Sequence, residues 1–224
     1  MKMARLLTFF LASLLLAFTA CEKPYYATLD EAVRLQMNDQ LEEALIVIDE
    51  LLLDYPDDEL LLVQRGIFKS ELDDDEGAID DFNKVLTINT GNDDARLSRA
   101  LSYYAIADDK KAMLDIDYLL ESKEKGTDVP IWTEELGTDY DFHISMTEIA
   151  HIHGLICVEL ERYDEALENF TLCIDAGFEL PDVHYSRGET FILLDSLDKG
   201  CADLKMSRKL GFPEAQEIID DFCD

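Results

Sequence analysis

Residues 59–92 read ELLLVQRGIFKSELDDDEGAIDDFNKVLTINTGN. Leu60, Leu62, Val63, Ile67 and Phe68 give one apolar face at helical spacing. Asp73-Asp74-Asp75-Glu76-Gly77 is a turn-rich break. Ala78, Ile79, Phe82, Val85 and Leu86 then make a second apolar stripe. Gly66 and Ala78, twelve residues apart, are small, and Phe82, four further on, is large. Small side chains let two helices approach closely, and the large one fills the seam between them. A helix pair of this length cannot bury its own apolar surface, so it must stack on neighbours.

The same three registers recur along the chain. Small residues stand at Ala32, Gly66, Ala100, Gly154 and Gly188, with spacings of 34, 34, 54 and 34. The spacing of 54 is one period plus an insertion of 20. Twelve residues after each comes another small one: Ala44, Ala78, Ala112, Ala166 and Gly200. Four further on stands a large apolar residue: Ile48, Phe82, Ile116, Phe170 and Leu204. The expected class is all-α, with helix-turn-helix units over 25–58, 59–92, 93–126, 147–180 and 181–214 and an insertion at 127–146. Gly91, Gly126, Gly177 and Gly211 offer left-handed helix stops near the unit ends. After Gly211, Pro213 suits the start of a helix, and Ala215, Ile218, Ile219 and Phe222 form one apolar stripe. Residues 213–224 are therefore expected to cap the last open face.

This pattern resembles the tetratricopeptide repeat, whose 34-residue unit has small residues at positions 8 and 20, a large apolar one at 24 and often Pro at 32. The chain departs from it in lacking Trp at position 4 and in having Pro at position 32 only once, at Pro56. The resemblance implies a solenoid of five repeats with a C-terminal capping helix. It also implies that positions 2, 5, 9 and 12 of each first helix face a peptide-binding groove. Those positions include Leu60, Val63, Ile67, Leu97, Leu101, Tyr104, His151, Leu155, Tyr185 and Ile192. Relatives that clamp acidic peptide ends place Lys, Arg and Asn there. This chain does not, so an apolar or basic peptide segment is the expected partner. The run from Gly200 to Gly211 also looks like the ending of many envelope repeat lipoproteins of Bacteroidetes-type bacteria.

The 19 Lys+Arg and 50 Asp+Glu give a net charge of −31. That balance opposes nucleic-acid binding, which needs a basic stripe, and electrostatic docking on anionic lipid. Yet 48% of the residues are hydrophobic, so the chain is not a disordered acidic tail. Lys2 and Arg5, followed by an uncharged run from Leu6 to Ala20, read as a signal peptide over 1–20. The run is too short for a membrane span. Ala17-Phe18-Thr19-Ala20-Cys21 resembles a bacterial lipobox, which implies acylation of Cys21, palmitate among the chains, and a lipidated tether over 21–24. Acyl chains would supply the membrane affinity that the acidic body lacks. The expected address is the cell envelope, as an outer-membrane lipoprotein facing the periplasm or the cell surface.

Position 7 of the unit is Arg65, Arg99 and Arg187 in units two, three and five, where position 23 is Asp81, Asp115 and Asp203. Unit four has His153 and Asn169, and unit one Glu31 and Val47. The two positions change together, which predicts a structural ion pair between the helices of a unit. The insertion holds Trp132, Tyr140 and Phe142. It reads either as a strap packed on neighbouring helices or as a functional loop.

No motif for catalysis stands out: there is no Gly-rich phosphate loop, nucleophile elbow or Cys-x-x-Cys. Asp139, Asp141 and His143 alternate along the chain, and alternate residues of a helix point different ways; Asp73 to Gly77 lack the alternating ligands and the distal Glu of a calcium loop. Glu148 and His151 lack the second pair that a di-iron bundle needs. No cofactor, no metal and no enzymatic activity are therefore expected. Cys201 with Cys223 and Cys157 with Cys173 can each form a bridge in an oxidising compartment, or all four can be buried thiols. The functional expectation is a non-catalytic protein- or peptide-binding scaffold. The alternatives are a structural subunit of an outer-membrane assembly complex and, from another class, a metal-dependent enzyme or cation-binding protein.

Overall fold

The computed structural model describes residues 25–124, 145–177 and 180–223. The signal segment and Cys21, Gly126, and all of the insertion but Ser145 and Met146 lie outside the described residues. Among the described residues, ten helices run in pairs and an eleventh stands alone: α1 (Tyr25–Met37) with α2 (Leu41–Asp54), α3 (Glu59–Glu71) with α4 (Asp75–Ile88), and α5 (Asp93–Ala105) with α6 (Asp109–Glu124). They continue as α7 (Met146–Glu159) with α8 (Tyr163–Asp175), α9 (Pro181–Leu193) with α10 (Leu197–Leu210), and the single α11 (Ala215–Phe222). No strand occurs among the described residues. The fold is an all-α solenoid of tetratricopeptide type, five helix pairs closed by a capping helix.

Local chemistry sets the helix starts. Asp58, Asp74 and Asn92 accept from the backbone N–H of Leu61, Gly77 and Ala95 at 3.0, 3.1 and 2.9 Å. Ser145 and Glu148 close a capping box on α7, and Pro181 opens α9. Each cap satisfies a backbone donor that the helix leaves unpaired. The turn inside each unit bends through a left-handed residue at position 15: Asp39, Asp73, Ala107, Glu161 and Asp195, with φ between 56° and 62°. None of these is Gly. The expected left-handed stops hold at Gly177 and Gly211, whose φ values are 81° and 110°, but not at Gly91. There Asn89 ends the helix and its side chain accepts from the Gly91 N–H.

The small residues lie where helices meet. Ala32, Ala44, Ala78, Ala100, Ala112 and Ala166 are fully buried. A Cβ on Gly66 would stand 2.5 Å from the Phe82 ring, and one on Gly154 would stand 2.6 Å from the Phe170 ring. In unit five both partners are glycine. A Cβ on Gly200 would meet the Gly188 carbonyl oxygen at 2.8 Å and Ile192 Cδ1 at 2.7 Å. First helices also touch the next first helix, α3 with α5, α5 with α7 and α7 with α9, and so form the inner layer of the stack.

All three Arg–Asp pairs form. Arg65, Arg99 and Arg187 Nε donate to Asp81, Asp115 and Asp203 at 2.8, 2.8 and 2.7 Å, and each Nη2 reaches the other carboxylate oxygen. Each Nη1 crosses to position 25 of the preceding unit: Asp49 at 2.9 Å, Asn83 at 2.6 Å and Thr171 at 3.1 Å. A second group reaches each buried Asp, Lys69, Arg96 and His184 respectively. Bidentate, multiply bonded carboxylates of this kind are the strong class of ion pair. Removing one partner from such a buried pair ordinarily costs about 3–5 kcal/mol.

Cys201 and Cys223 are joined, with Cα atoms 5.6 Å apart, so the cap is fastened to α10. The bridge considered between Cys157 and Cys173 is not formed. Both are buried free thiols, and Cys173 Sγ turns to the Thr147 carbonyl at 3.3 Å. An exposed helix-interior Gly→Ala change normally gains about 1 kcal/mol. At Gly200 the sign reverses: Gly200→Ala lowers unfolding free energy by about 1–3 kcal/mol, the usual range for overpacking, read from urea denaturation midpoints.

Candidate functional site

The inner layer ends in a pocket at the C-terminal half of the array. Its walls are Tyr104 of α5, Leu155, Val158 and Glu159 of α7, Ser186, Glu189, Ile192 and Leu193 of α9, and Ile218 and Phe222 of α11. Its volume is about 410 Å³, within the range of small-ligand and side-chain clefts. The floor is apolar and the ionisable groups are Glu159, Glu189 and the Tyr104 phenol. It has no Lys or Arg.

Three of the ten groove positions expected from the sequence, Tyr104, Leu155 and Ile192, come together here. The others lie elsewhere. Val63 is core, 6% exposed, and Leu60 and Ile67 pack half-buried against the same cluster. Leu97 packs on the core of units three and four, whereas Leu101 is exposed. His151 is partly buried, 3.8 Å from Asp182, and burial pushes its pKa below the usual value. Tyr185 lies against Phe212 with ring centroids 4.9 Å apart. Phe212, with Cys223, also packs against the cluster of the last unit and the cap.

The electrostatics of this end are those of a half-buried acidic cleft. Burial raises the Glu189 carboxyl above the usual range, opposed by a hydrogen bond from Tyr185. Burial, then the bond to Glu189, pushes the Tyr185 phenol up to about 12. Tyr104 is raised by burial and then by the charges of Glu159, Asp109 and Glu189. Burial, the leading cause in each case, disfavours charge of either sign; the carboxylates that add to it at Tyr104 and Tyr185 make the field negative, which opposes an anion more than a cation.

The two acids and the two cap residues were missed from the sequence. Glu189 occupies position 9 of unit five, one of the groove positions, so its register alone could have flagged it. Glu159 lies beyond that set, and the part played by Ile218 and Phe222 depends on where the cap lands. Trp132, Tyr140, Phe142, Asp139, Asp141 and His143, with Cys21, fall outside the described residues.

No protein-family profile and no curated protein matches the sequence. Solved structures do match the fold. The chain is similar to MamA, residues 41 to the end, from Desulfovibrio magneticus RS-1, at 18% identity and a TM-score of 0.65, over 85% of this chain and 97% of that one. It is similar to a tetratricopeptide repeat protein from Parabacteroides merdae at 17% identity and 0.59, over 92% and 87%. It is also similar to PilW, described as a widely conserved type IV pilus biogenesis factor, at 13% identity and 0.69, over 85% and 79%. These likenesses establish the tetratricopeptide-type solenoid. Among the described residues no helix is long and apolar enough to cross a membrane.

The raised Glu189 carboxyl has a consequence for stability. Its folded pKa lies above its unfolded value, so ionisation opposes folding at neutral pH, and that opposition vanishes as pH falls through the folded pKa. Glu189→Gln therefore raises the denaturation midpoint at pH 7. The gain is under about 1 kcal/mol, because solvent screens a half-exposed group, and it disappears toward pH 4 in the same titration.

Proposed function

We propose that this chain is a non-catalytic scaffold of the cell envelope, tethered by a lipidated Cys21, that binds a protein partner through the pocket between α5, α7, α9 and α11. The observation behind this reading is the pairing of an apolar floor with Glu159 and Glu189 and no cation. An apolar side chain flanked by Lys or Arg satisfies both features: it buries surface on Leu155, Ile192 and Ile218, and it sets a positive charge beside the acids. An acidic segment would meet like charge. The leader and Cys21 support placement as an outer-membrane lipoprotein facing the periplasm, because nothing else in so acidic a chain would hold it on lipid. The likeness of fold to a pilus biogenesis factor is compatible with a partner drawn from an envelope assembly complex.

The test is site-specific photocrosslinking in cells. A crosslinker replacing Ser186 in the pocket captures a defined partner, and the same group replacing Leu172, exposed on the second helix of unit four, does not. Glu159→Lys with Glu189→Lys lowers capture at least tenfold, a change of about 1.4 kcal/mol or more. Cys21→Ser moves the chain from the membrane to the soluble fraction. Equal capture at Ser186 and Leu172, or capture indifferent to the charge reversal, contradicts the pocket assignment. Membrane retention of Cys21→Ser contradicts the anchor.

A further inference from the structure

Unit four breaks the Arg–Asp ladder. In units two, three and five a guanidinium fills the space between a buried carboxylate at position 23 and a polar group at position 25 of the preceding unit. In unit four the position-7 side chain is the imidazole of His153, and position 23 is Asn169. The Asn169 amide does not replace the lost acceptor: its Nδ2 donates to the Glu165 carbonyl at 2.8 Å, and it makes no hydrogen bond to His153. Both ring nitrogens of His153 are buried without a hydrogen-bond partner. A buried polar atom left unpaired is destabilising, so two on one ring call for an explanation.

The surroundings supply one. His153 and Cys157 lie one turn apart on the same face of α7. Glu165, in the first turn of α8, faces them across the turn of the unit. One ring nitrogen, the Cys157 Sγ and a Glu165 carboxylate oxygen all lie within 4.8 Å of one another. Cys157 is fully buried and not disulfide-bonded. Arg162 donates to both Glu165 oxygens, the Nε bond being 3.0 Å. That orients the carboxylate and leaves it lone pairs to share, since an ionised carboxylate has about four acceptor sites. Asp117, at position 25 of unit three, acts electrostatically on both Cys157 and Arg162.

We propose that unit four binds one thiophilic divalent metal ion, zinc by its donor chemistry, through His153, Cys157 and Glu165, with water in the fourth position. Mixed imidazole, thiolate and carboxylate donors are those of zinc. Tetrahedral zinc with bonds of about 2.0–2.3 Å sets its donor atoms about 3.3–3.7 Å apart, so the three groups close by small side-chain rotations. The ion ties α7 to α8, as the guanidinium ties the two helices of units two, three and five. It gives the unpaired imidazole a partner and balances the thiolate and carboxylate charges. A coordinating cysteine binds as its thiolate, so binding sends the Cys157 proton to solvent.

The experiment uses the full chain carrying Cys21→Ser, purified with the Cys201–Cys223 bridge intact and stripped with chelator. Cobalt(II) is added as the spectroscopic probe and zinc as the competitor. One equivalent of cobalt produces a thiolate-to-metal charge-transfer band, and zinc removes it. The band is absent in Cys157→Ser, cobalt binds at least tenfold more weakly to His153→Gln and Glu165→Gln, and Cys173→Ser behaves like the parent. Zinc raises the melting temperature of the parent and of Cys173→Ser only, as mass action requires of an ion bound by the folded state. The proposal is overturned by the absence of a charge-transfer band in the parent. It is equally overturned by a band that follows Cys173 instead of Cys157, or by equal zinc stabilisation of every variant, which is adventitious binding to the acidic surface. Should Cys157→Ser fail to fold by circular dichroism, the other two variants decide: unchanged cobalt affinity in both overturns the site.

Discussion

The ring of Phe82 lies in the volume that a methyl group on Gly66 would occupy, and the rest of the solenoid depends on contacts of this kind. The same arrangement recurs with Phe170 over Gly154, and Leu204 comes nearly as close to Gly188. Each contact sets the distance between the helices of a unit and locks their axial register, because a bulky side chain has one hole to enter. Close packing of this type tolerates neither a gap nor an extra methylene without loss. The fully buried alanines at the corresponding positions of units one and three show the same constraint in a milder form.

Once the register is set, the polar ladder follows from it. Each position-7 Arg stands sixteen residues before the Asp of its own unit and sixteen after the position-25 group of the previous one. A single side chain thus reads both the packing within a unit and the stacking between units. A buried ion pair is weak evidence of net stability; its value here is that a shifted stack would strand a charge. The units where the ladder is absent are the first, which has no preceding unit among the described residues, and the fourth, where imidazole, thiol and carboxylate converge instead.

Much of this could be read before any coordinates. The period of 34 specified the helix pairs, because three registers kept step through five units and across an insertion. The concerted change of positions 7 and 23 specified the ion pairs. The left-handed turns at position 15 were hidden because Asp, Ala and Glu occupy them in place of Gly; Asp tolerates that backbone, whereas at Ala107 and Glu161 the fold imposes it against local preference. Gly91 misled for the converse reason, since Asn89 already ends the helix. The pocket was only half legible. Periodicity says which face of a helix is apolar, but which residues of successive helices share a cavity depends on the stacking angle and on the landing place of the cap. Val63 shows the limit, standing at a groove position yet buried in the core.

The central claim, that the small residue at position 8 and the large one at position 24 fix the helix spacing jointly, is tested most directly by a double-mutant cycle on Gly66 and Phe82. Unfolding free energies of the parent, Gly66→Ala, Phe82→Leu and the double variant isolate the coupling. The account predicts that Gly66→Ala is markedly less damaging in the Phe82→Leu background than beside the phenyl ring, with a coupling of about 1 kcal/mol or more, in the range found for residues in contact. Additive effects within about 0.3 kcal/mol, the behaviour of independent sites, would contradict it.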